Sequence, residues 1–279
     1  MKIKILGSSG GESYPAMFCG CDHCNEARRV GGKSIRTLSQ TLINNDLLID
    51  LPADTAAHAR AYGLNLGDIP YILITHVHHD HFQPAVLCDR GFVYAHDLKA
   101  QELTPYGSED IVGVYNGIDA IYHINPTIKQ NITLDCFAPF ETKTVGSYRI
   151  TALPAKHATQ NPLNYVIEDG EHTLLYLHDT GYPNEDVLAF LSDRGVLADA
   201  VMMDATMGVM EIDDSRGHMS FDQNKRLKPD LIARGIATES TVFVSNHITH
   251  NKAETHEKVE QIFENTGILV AYDGMEINL

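Results

Sequence analysis

The side chains with the clearest chemistry are histidines that recur at short spacing. His76, His78, Asp80 and His81 form the pattern H-x-H-x-D-H directly after the apolar run at 71–75. The first two can point the same way from an extended segment, and the last two turn with the chain, which suits two adjacent metal ions. The alternative is a polar surface loop in which the histidines occur by chance. Such a loop would not require four residues in fixed register after an apolar strand. The motif therefore predicts a dinuclear metal site.

Three further candidate ligands follow apolar, strand-like segments elsewhere in the chain. They are His157, Asp179 and His247. Loops at strand ends are where functional side chains usually lie, and a carboxylate such as Asp179 can bridge two ions. Taken singly, each would more often be a capping or surface residue. Together with the histidine motif, we expect them to complete the metal site.

A second candidate site is a group of cysteines near the start of the chain. Three lie within six positions, at Cys19, Cys21 and Cys24. Three thiolates and one imidazole make a closed tetrahedral zinc site, which is structural because no position is left for water. The fourth ligand is either the nearby His23 or a distant residue such as His250, whose loop also carries His247. Reduced cysteines without a metal are the alternative.

The elements that must position these residues alternate between strands and helices. Strands are predicted at 2–6, 40–44, 47–51, 71–75, 148–153, 200–204 and 242–245, a hairpin at 164–177, and helices at 54–62, 184–193, 221–233 and 252–264. The chain is predicted to end in a hairpin of 268–272 and 275–277 around Asp273-Gly274. No linker or repeat divides the sequence, which predicts one domain over residues 1–279, with either a lid over a pocket or an insertion within 96–145.

Composition narrows the classes of partner. The 279 residues include 37 acidic and 21 basic side chains, which give a formal charge of −16. This charge disfavours a broad nucleic-acid surface, so an anionic substrate must be held locally, for example by metal ions. We find no signal-peptide pattern and no apolar run near the ~20 residues of a membrane span, so we expect a cytoplasmic protein without a membrane partner. The sequence leaves open whether the protein forms a homodimer.

The histidine motif and the three later ligands resemble the metallo-β-lactamase superfamily over nearly the whole chain. The resemblance implies an α/β (α+β) fold, a four-layer αββα sandwich with metals at one edge. It implies that one metal is held by His76, His78 and His157, the second by Asp80, His81 and His247, and that Asp179 bridges both. It also implies that Asp50 supports a ligand histidine, whereas His79 and His178 match no ligand position.

The cysteine cluster narrows the resemblance. Together with Arg28-Arg29, His247-Ile248-Thr249-His250 and a final Asp273-Gly274-Met275-Glu276-Ile277, it is similar to the phosphoribosyl 1,2-cyclic phosphate phosphodiesterase family of the carbon-phosphorus lyase pathway. This resemblance implies that His250 completes the structural zinc site. It also implies that His218 contacts the substrate phosphate or assists proton transfer.

The resemblance predicts a dinuclear metal-dependent phosphodiesterase for a small anionic cyclic phosphodiester, with Asp80 and His218 as catalytic residues. Expected cofactors are two divalent ions, zinc or manganese, and one structural zinc. One alternative is that the same hydrolase core acts on a lactam, a thioester or a tRNA 3′ end, although the acidic charge disfavours tRNA. A non-enzymatic binding or carrier protein like coenzyme PQQ synthesis protein B is another. The full set of candidate ligands favours catalysis.

Overall fold

The computed structural model describes residues 1–251 and 254–279, and its strands form two sheets of seven strands each. The first sheet contains β1 (Lys2–Gly7), β2 (Gln40–Ile43), β3 (Leu47–Ile49), β4 (Tyr71–Leu73), β5 (Thr104–Gly107), β6 (Asp135–Cys136) and β14 (Glu276–Asn278). Their order is β14-β1-β2-β3-β4-β5-β6. In β1, half-buried lysines alternate with the buried Ile3 and Ile5, because successive side chains of a strand point to opposite faces.

The second sheet begins in the middle of the chain. It contains β7 (Thr142–Val145), β8 (Tyr148–Pro154), β9 (Leu163–Glu168), β10 (Thr173–Leu177), β11 (Ala200–Asp204), β12 (Val242–Asn246) and β13 (Ile268–Val270). The order is β13-β12-β11-β10-β9-β8-β7, and β10 to β13 run parallel. Every residue of β11 is buried, because a parallel strand in the middle of a sheet is covered on both faces.

Helices cover both outer faces. They are α1 (Asp22–Val30), α2 (Thr55–Tyr62), α3 (Asp110–Tyr122), α4 (Pro126–Lys129), α5 (Glu185–Asp193), α6 (Phe221–Ala233) and α7 (His256–Ile262). A core between the sheets joins Ile5 of the first to Met202 of the second. A second core packs Leu188 of α5 on the second sheet, and a third packs Ile111 of α3 on the first. The predicted αββα sandwich is confirmed.

The predicted hairpin at 164–177 is confirmed, because β9 and β10 pair in antiparallel register from Glu168 and Thr173. The predicted hairpin at the end of the chain is wrong. Strand β13 pairs with β12 in the second sheet, whereas β14 pairs with β1 in the first. The Asp273 carboxylate accepts hydrogen bonds from the Ser8 and Thr37 backbone N–H groups at 2.9 and 2.7 Å. The turn thus carries the chain from one sheet to the other.

About half of segment 96–145 lies in helices and strands. It contributes β5 and β6 to the first sheet and α3 and α4 to the layer outside it. Its role as a lid stays a prediction. The helix predicted over 252–264 is α7, which begins at His256, and residues 252 and 253 lie outside the described residues. Within the described ranges, no helix has the length and apolarity needed to cross a membrane.

Candidate metal centre

The histidine motif lies in the loop that follows β4, held against the end of β3 by Asp50. The Asp50 carboxylate accepts a hydrogen bond from the Thr75 backbone N–H at 2.8 Å, and its Oδ2 lies 2.7 Å from His81 Nδ1. Asp50 is fully buried and has a φ of 64°. The structure therefore places Asp50 against a motif histidine and fixes that ring through its Nδ1 atom.

Three predicted ligand histidines meet on one side of Asp179, and with it they make a group of four. His76 Nε2 lies 2.9 Å from His78 Nδ1, and His157 Nε2 lies 3.1 Å from the same His78 atom. Asp179 Oδ2 is 3.3 Å from His76 Nε2. One ligand atom from each of the four residues lies within 4.8 Å of all the others. The side chains assigned to the first metal are thus brought together with the proposed bridging carboxylate.

The second group lies on the other side of the same carboxylate. His81 Nε2 is 2.9 Å from Asp179 Oδ2 and 3.1 Å from Asp80 Oδ2. His247 Nε2 lies 3.3 Å from His81 Nε2. All four residues of this group are buried. Because the Oδ2 atom of Asp179 also faces the first group, this oxygen belongs to both.

The donor atoms of the two groups fit divalent metal ions. Imidazole nitrogens face each other at 2.9 to 3.3 Å, and such pairs satisfy each other only when one nitrogen carries a proton. Burial lowers the pKa of His76 well below its usual value and also lowers the pKa of His157, so both rings are neutral and able to ligate. Burial acts to lower the pKa of His81 and His247, but neighbouring carboxylates outweigh it and raise both, so these rings must lose a proton to bind a metal. Imidazoles combined with carboxylates suit zinc and manganese.

The two histidines next to ligand positions have opposite environments. His178 is fully buried, with Nδ1 3.4 Å from Ser39 Oγ and Nε2 3.3 Å from Asn246 Nδ2. The His79 side chain is 76% exposed. Neither belongs to the groups of candidate ligands among the described residues. His178 therefore supports the loop from within the core, and His79 faces solvent.

Asp204 was missed by the sequence analysis. It ends β11, is fully buried, and places Oδ2 3.4 Å from His247 Nδ1 and 3.3 Å from His218 Nδ1. Thr206 Oγ1 donates to the same oxygen at 2.9 Å. The available signal was an aspartate at the end of the apolar run 200–203, the same signal that singled out Asp179. Asp204 therefore orients two histidines at once.

His218 lies at the edge of the centre, with its side chain 27% exposed. Its Nδ1 atom is 3.0 Å from Asp179 Oδ1 in addition to the contact with Asp204. Burial acts to lower the pKa of His218, but the charge of Asp204 and the hydrogen bonds to both carboxylates outweigh it and raise the pKa to about 10. The ring is therefore protonated at neutral pH.

The cysteine cluster forms a separate candidate site. Cys19, Cys21, Cys24 and His250 each offer an atom within 4.8 Å of the others. His250 Nδ1 lies 3.4 Å from Cys24 Sγ and 3.7 Å from Cys21 Sγ. His23 instead places Nδ1 3.9 Å from Glu254. Of the two alternatives for the fourth ligand, the structure thus brings His250 to the thiols.

A hydrogen bond from the Cys24 backbone, assisted by His250, lowers the pKa of Cys21 to about 6. Burial raises the pKa of Cys24 to about 12. Thiolates are the form that binds zinc, so the lowered pKa of Cys21 favours a first contact with a metal. Three sulfur atoms and one imidazole are the ligand types of a structural zinc site.

The two-sheet sandwich and the buried histidine–aspartate groups in its strand-end loops define a metallo-β-lactamase-fold protein with a hydrolase-type metal centre. The model of the beta-lactamase superfamily domain matches residues 45–236, more than half of the chain. The chain belongs to this superfamily, as the histidine motif predicted.

Comparison with known proteins gives full-length matches of low identity. The chain is 22% identical over 314 aligned residues to coenzyme PQQ synthesis protein B of Ruegeria pomeroyi, with 100% of both chains covered. Its structure is similar to that of a diphosphatase from the PhnP family, with a TM-score of 0.74, 17% identity and coverage of 100% and 97%. It is also similar to zinc-bound PqqB from Methylobacterium extorquens, with a TM-score of 0.68, 20% identity and 100% coverage of both. These likenesses establish the shared fold.

Proposed function

We propose that this protein is a metal-dependent phosphodiesterase that hydrolyses a small cyclic phosphodiester such as 5-phosphoribosyl 1,2-cyclic phosphate. The observation that carries the proposal is that one oxygen, Asp179 Oδ2, faces both ligand groups, at 3.3 Å from His76 and 2.9 Å from His81. Two ions sharing one ligand are close enough to act on a single phosphoryl group. The likeness to a diphosphatase of the PhnP family supports hydrolysis at a phosphorus atom.

The proposed cofactors are two divalent ions, zinc or manganese, and one structural zinc. The first ion is assigned to His76, His78 and His157, the second to Asp80, His81 and His247, with Asp179 shared, and the structural zinc to Cys19, Cys21, Cys24 and His250. When bound, the two divalent ions would activate water and polarise the phosphoryl oxygens. They would also supply positive charge inside a chain of formal charge −16, which suits an anionic substrate.

The surrounding side chains hold the ligands in place. Asp50 fixes His81 through Nδ1, and Thr206 Oγ1 lies 2.8 Å from His247 Nδ1. Buried partners of this kind fix the tautomer and orientation of a ligand histidine. Asp80, predicted to act in catalysis as well as in ligation, faces His81 Nε2 from a largely buried position.

His218 is proposed to deliver the proton that ring opening requires. Hydrolysis of a cyclic phosphodiester leaves an alkoxide, which a positioned acid must protonate as the P–O bond breaks. His218 is partly exposed at the edge of the centre, and its contacts with Asp179 and Asp204 keep it protonated. Those contacts hold Nδ1, so Nε2–H is the group left to serve the leaving oxygen.

The experiment that tests the function is a comparison of substrates on one metal-loaded preparation. We would measure kcat/KM for 5-phosphoribosyl 1,2-cyclic phosphate, a diphosphate ester, an aryl phosphodiester and a lactam, with Asp179→Asn as the inactive control. We expect the cyclic phosphodiester to be preferred by orders of magnitude. Preference for the lactam or the diphosphate ester would refute the proposed substrate. No turnover, together with a single zinc per chain, would support the carrier function instead.

A further inference from the structure

A short glycine segment lies over the proposed second metal site. A Cβ atom added at Gly10 would lie 3.1 Å from His247 Cε1, and one added at Gly11 would lie 3.2 Å from Asp80 Oδ2. Real Cβ atoms rarely approach other groups so closely, so the backbone of these residues packs directly on two proposed ligands. The position of this segment therefore bears on the geometry of the centre.

The same segment is bonded to the loop that carries His247. The Ser9 hydroxyl donates to the Ile248 carbonyl at 2.9 Å, and the Ile248 N–H donates to the Ser8 carbonyl at 3.0 Å. That loop continues to His250 in the cysteine cluster. The segments 8–12 and 247–250 thus form one hydrogen-bonded unit, which we name the bridging unit, and it touches both candidate metal sites.

Glu12 closes this unit on the side of the cysteines. Its buried Oε1 atom forms an ion-pair contact with His250 Nε2 at 3.2 Å and has no hydrogen-bond partner among the described residues. The opposite ring nitrogen, Nδ1, faces the Cys24 and Cys21 sulfur atoms. A carboxylate held against the outer nitrogen of a ligand histidine favours the proton on that nitrogen, which leaves the inner nitrogen with its lone pair toward the metal.

We propose that Glu12 is a positioning residue that orients His250 toward the metal of the cysteine cluster and anchors the glycine segment over the neighbouring centre. The inference rests on the proposed occupancy of the cysteine cluster by zinc. Glu12 links the two sites physically. Its carboxylate orients His250, and it directly follows Gly11, whose backbone packs on Asp80. Loss of the Glu12 carboxylate would therefore weaken metal retention among the cysteines and loosen the bridging unit.

The test uses cobalt in place of zinc, because the sulfur-to-cobalt charge-transfer band reports only the site with thiolate ligands. We would follow the decay of this band in excess chelator for the full-length wild type, Glu12→Gln and Glu12→Ala. Glu26→Gln is the matched control, since Glu26 lies on α1 beside the cluster but pairs with Arg29. Removal of a partner of this kind typically lowers metal affinity about 10- to 100-fold. We expect Glu12→Ala to lose cobalt faster by a factor of this order, Glu12→Gln to be intermediate, and Glu26→Gln to match the wild type.

The intermediate behaviour of Glu12→Gln separates orientation of His250 from simple packing, because the amide has the size of the carboxylate and still accepts a hydrogen bond. Unchanged cobalt loss in both Glu12 variants would overturn the inference and leave the proposed function standing. A wild-type chain that shows no charge-transfer band would overturn the structural metal site itself, and the inference with it. If Glu12→Ala does not fold, the folded Glu12→Gln variant decides, and cobalt loss equal to the wild type overturns the proposal.

Discussion

Most histidines of the candidate centre are held at the nitrogen that faces away from it. The pairs are His76 Nδ1 with Thr75 Oγ1, His81 Nδ1 with Asp50, His157 Nδ1 with the Gly217 carbonyl and His247 Nδ1 with Thr206. In each pair Nε2 is directed to the other candidate ligands. This shared arrangement holds each ring with Nε2 toward the centre, which is the preorganisation that a catalytic centre requires.

Asp204 provides one test of this arrangement. We expect Asp204→Asn to lower the affinity for the second metal and kcat/KM by about 10- to 100-fold, because it removes the charge that faces both His218 and His247. Metal titration followed by steady-state kinetics would check this. Asp222→Asn is the control, since its side chain is 81% exposed. Equal metal affinity in Asp204→Asn and the control would contradict the orienting role.

His218 provides a second test, that of the proposed proton donor. If it delivers the proton to the leaving group, His218→Ala lowers kcat by about 10²- to 10⁴-fold. Because the charge of Asp204 raises the pKa of His218 above its usual value although burial opposes the shift, we expect the wild-type rate that depends on this proton to be present at neutral pH and to decline at alkaline pH. The alanine variant should lack that decline. The exposed His96→Ala serves as control. An unchanged kcat and pH profile would remove His218 from the mechanism.

The candidate ligands were predictable from the sequence because each stands at the end of an apolar run, and the H-x-H-x-D-H pattern added a spacing that chance rarely gives. The pattern does not reveal which distant residues meet. Asp204 reaches His247 because β11 and β12 pair in parallel with Asp204 opposite Asn246. That register depends on tertiary structure, so the role of Asp204 emerged only from the fold.

At the level of whole elements, the turn residues Asp273-Gly274 led to the wrong prediction of a hairpin at the end of the chain. The Asp-Gly pair indicates a hairpin when the flanking strands pair with each other. Here the Asp273 carboxylate instead bonds to Ser8 and Thr37, residues more than 200 positions away. The hairpin at 164–177 was predicted correctly because its strands pair directly across Asp169-Gly170, even though the Asp169 carboxylate also accepts a hydrogen bond from the distant Asn44 side chain at 3.2 Å. Sequence periodicity does not reveal long-range polar contacts of this kind.

The loops that carry Asp179 and His218 approach each other too closely for any residue but glycine at Gly181. A Cβ atom there would lie 1.9 Å from the Arg216 carbonyl oxygen. We expect Gly181→Ala to lower the free energy of unfolding by about 1–3 kcal/mol and to reduce activity, because both loops must separate. The control is Gly113→Ala in α3, where nothing lies within 4 Å and alanine should stabilise the helix by about 0.5–1 kcal/mol. Equal stability of the two variants in urea unfolding would contradict this packing.

For the molecule as a whole, buried neutral histidines link stability to pH. His256 packs between Arg36, whose Nη2 is 3.0 Å from Nδ1, and Glu260, whose Oε1 is 3.1 Å from Nε2. Burial, the charge of Arg36 and that of Lys33 together lower the pKa of His256 to about 4, although Glu260 opposes the shift. The unfolded chain therefore binds this proton more readily than the folded one. The stabilisation is complete above pH ~6.5 and is lost as the pH falls toward 4.

We expect His256→Gln to reduce the loss of stability between pH 7 and pH 4.5 by roughly 1–2 kcal/mol, because glutamine cannot take up the proton. Urea unfolding at both pH values would measure the change, with the exposed His123→Gln as control. A loss of stability on acidification that is the same in wild type and His256→Gln would show that this histidine does not titrate on unfolding.

The sharing of Asp179 by two ions is tested most directly by a crystal structure of the zinc-loaded protein with diffraction collected at the zinc absorption edge. We expect two anomalous peaks on either side of the Asp179 carboxylate, about 3.5–4 Å apart, and a third among the cysteines. A single peak confined to Cys19, Cys21, Cys24 and His250 would contradict the dinuclear centre.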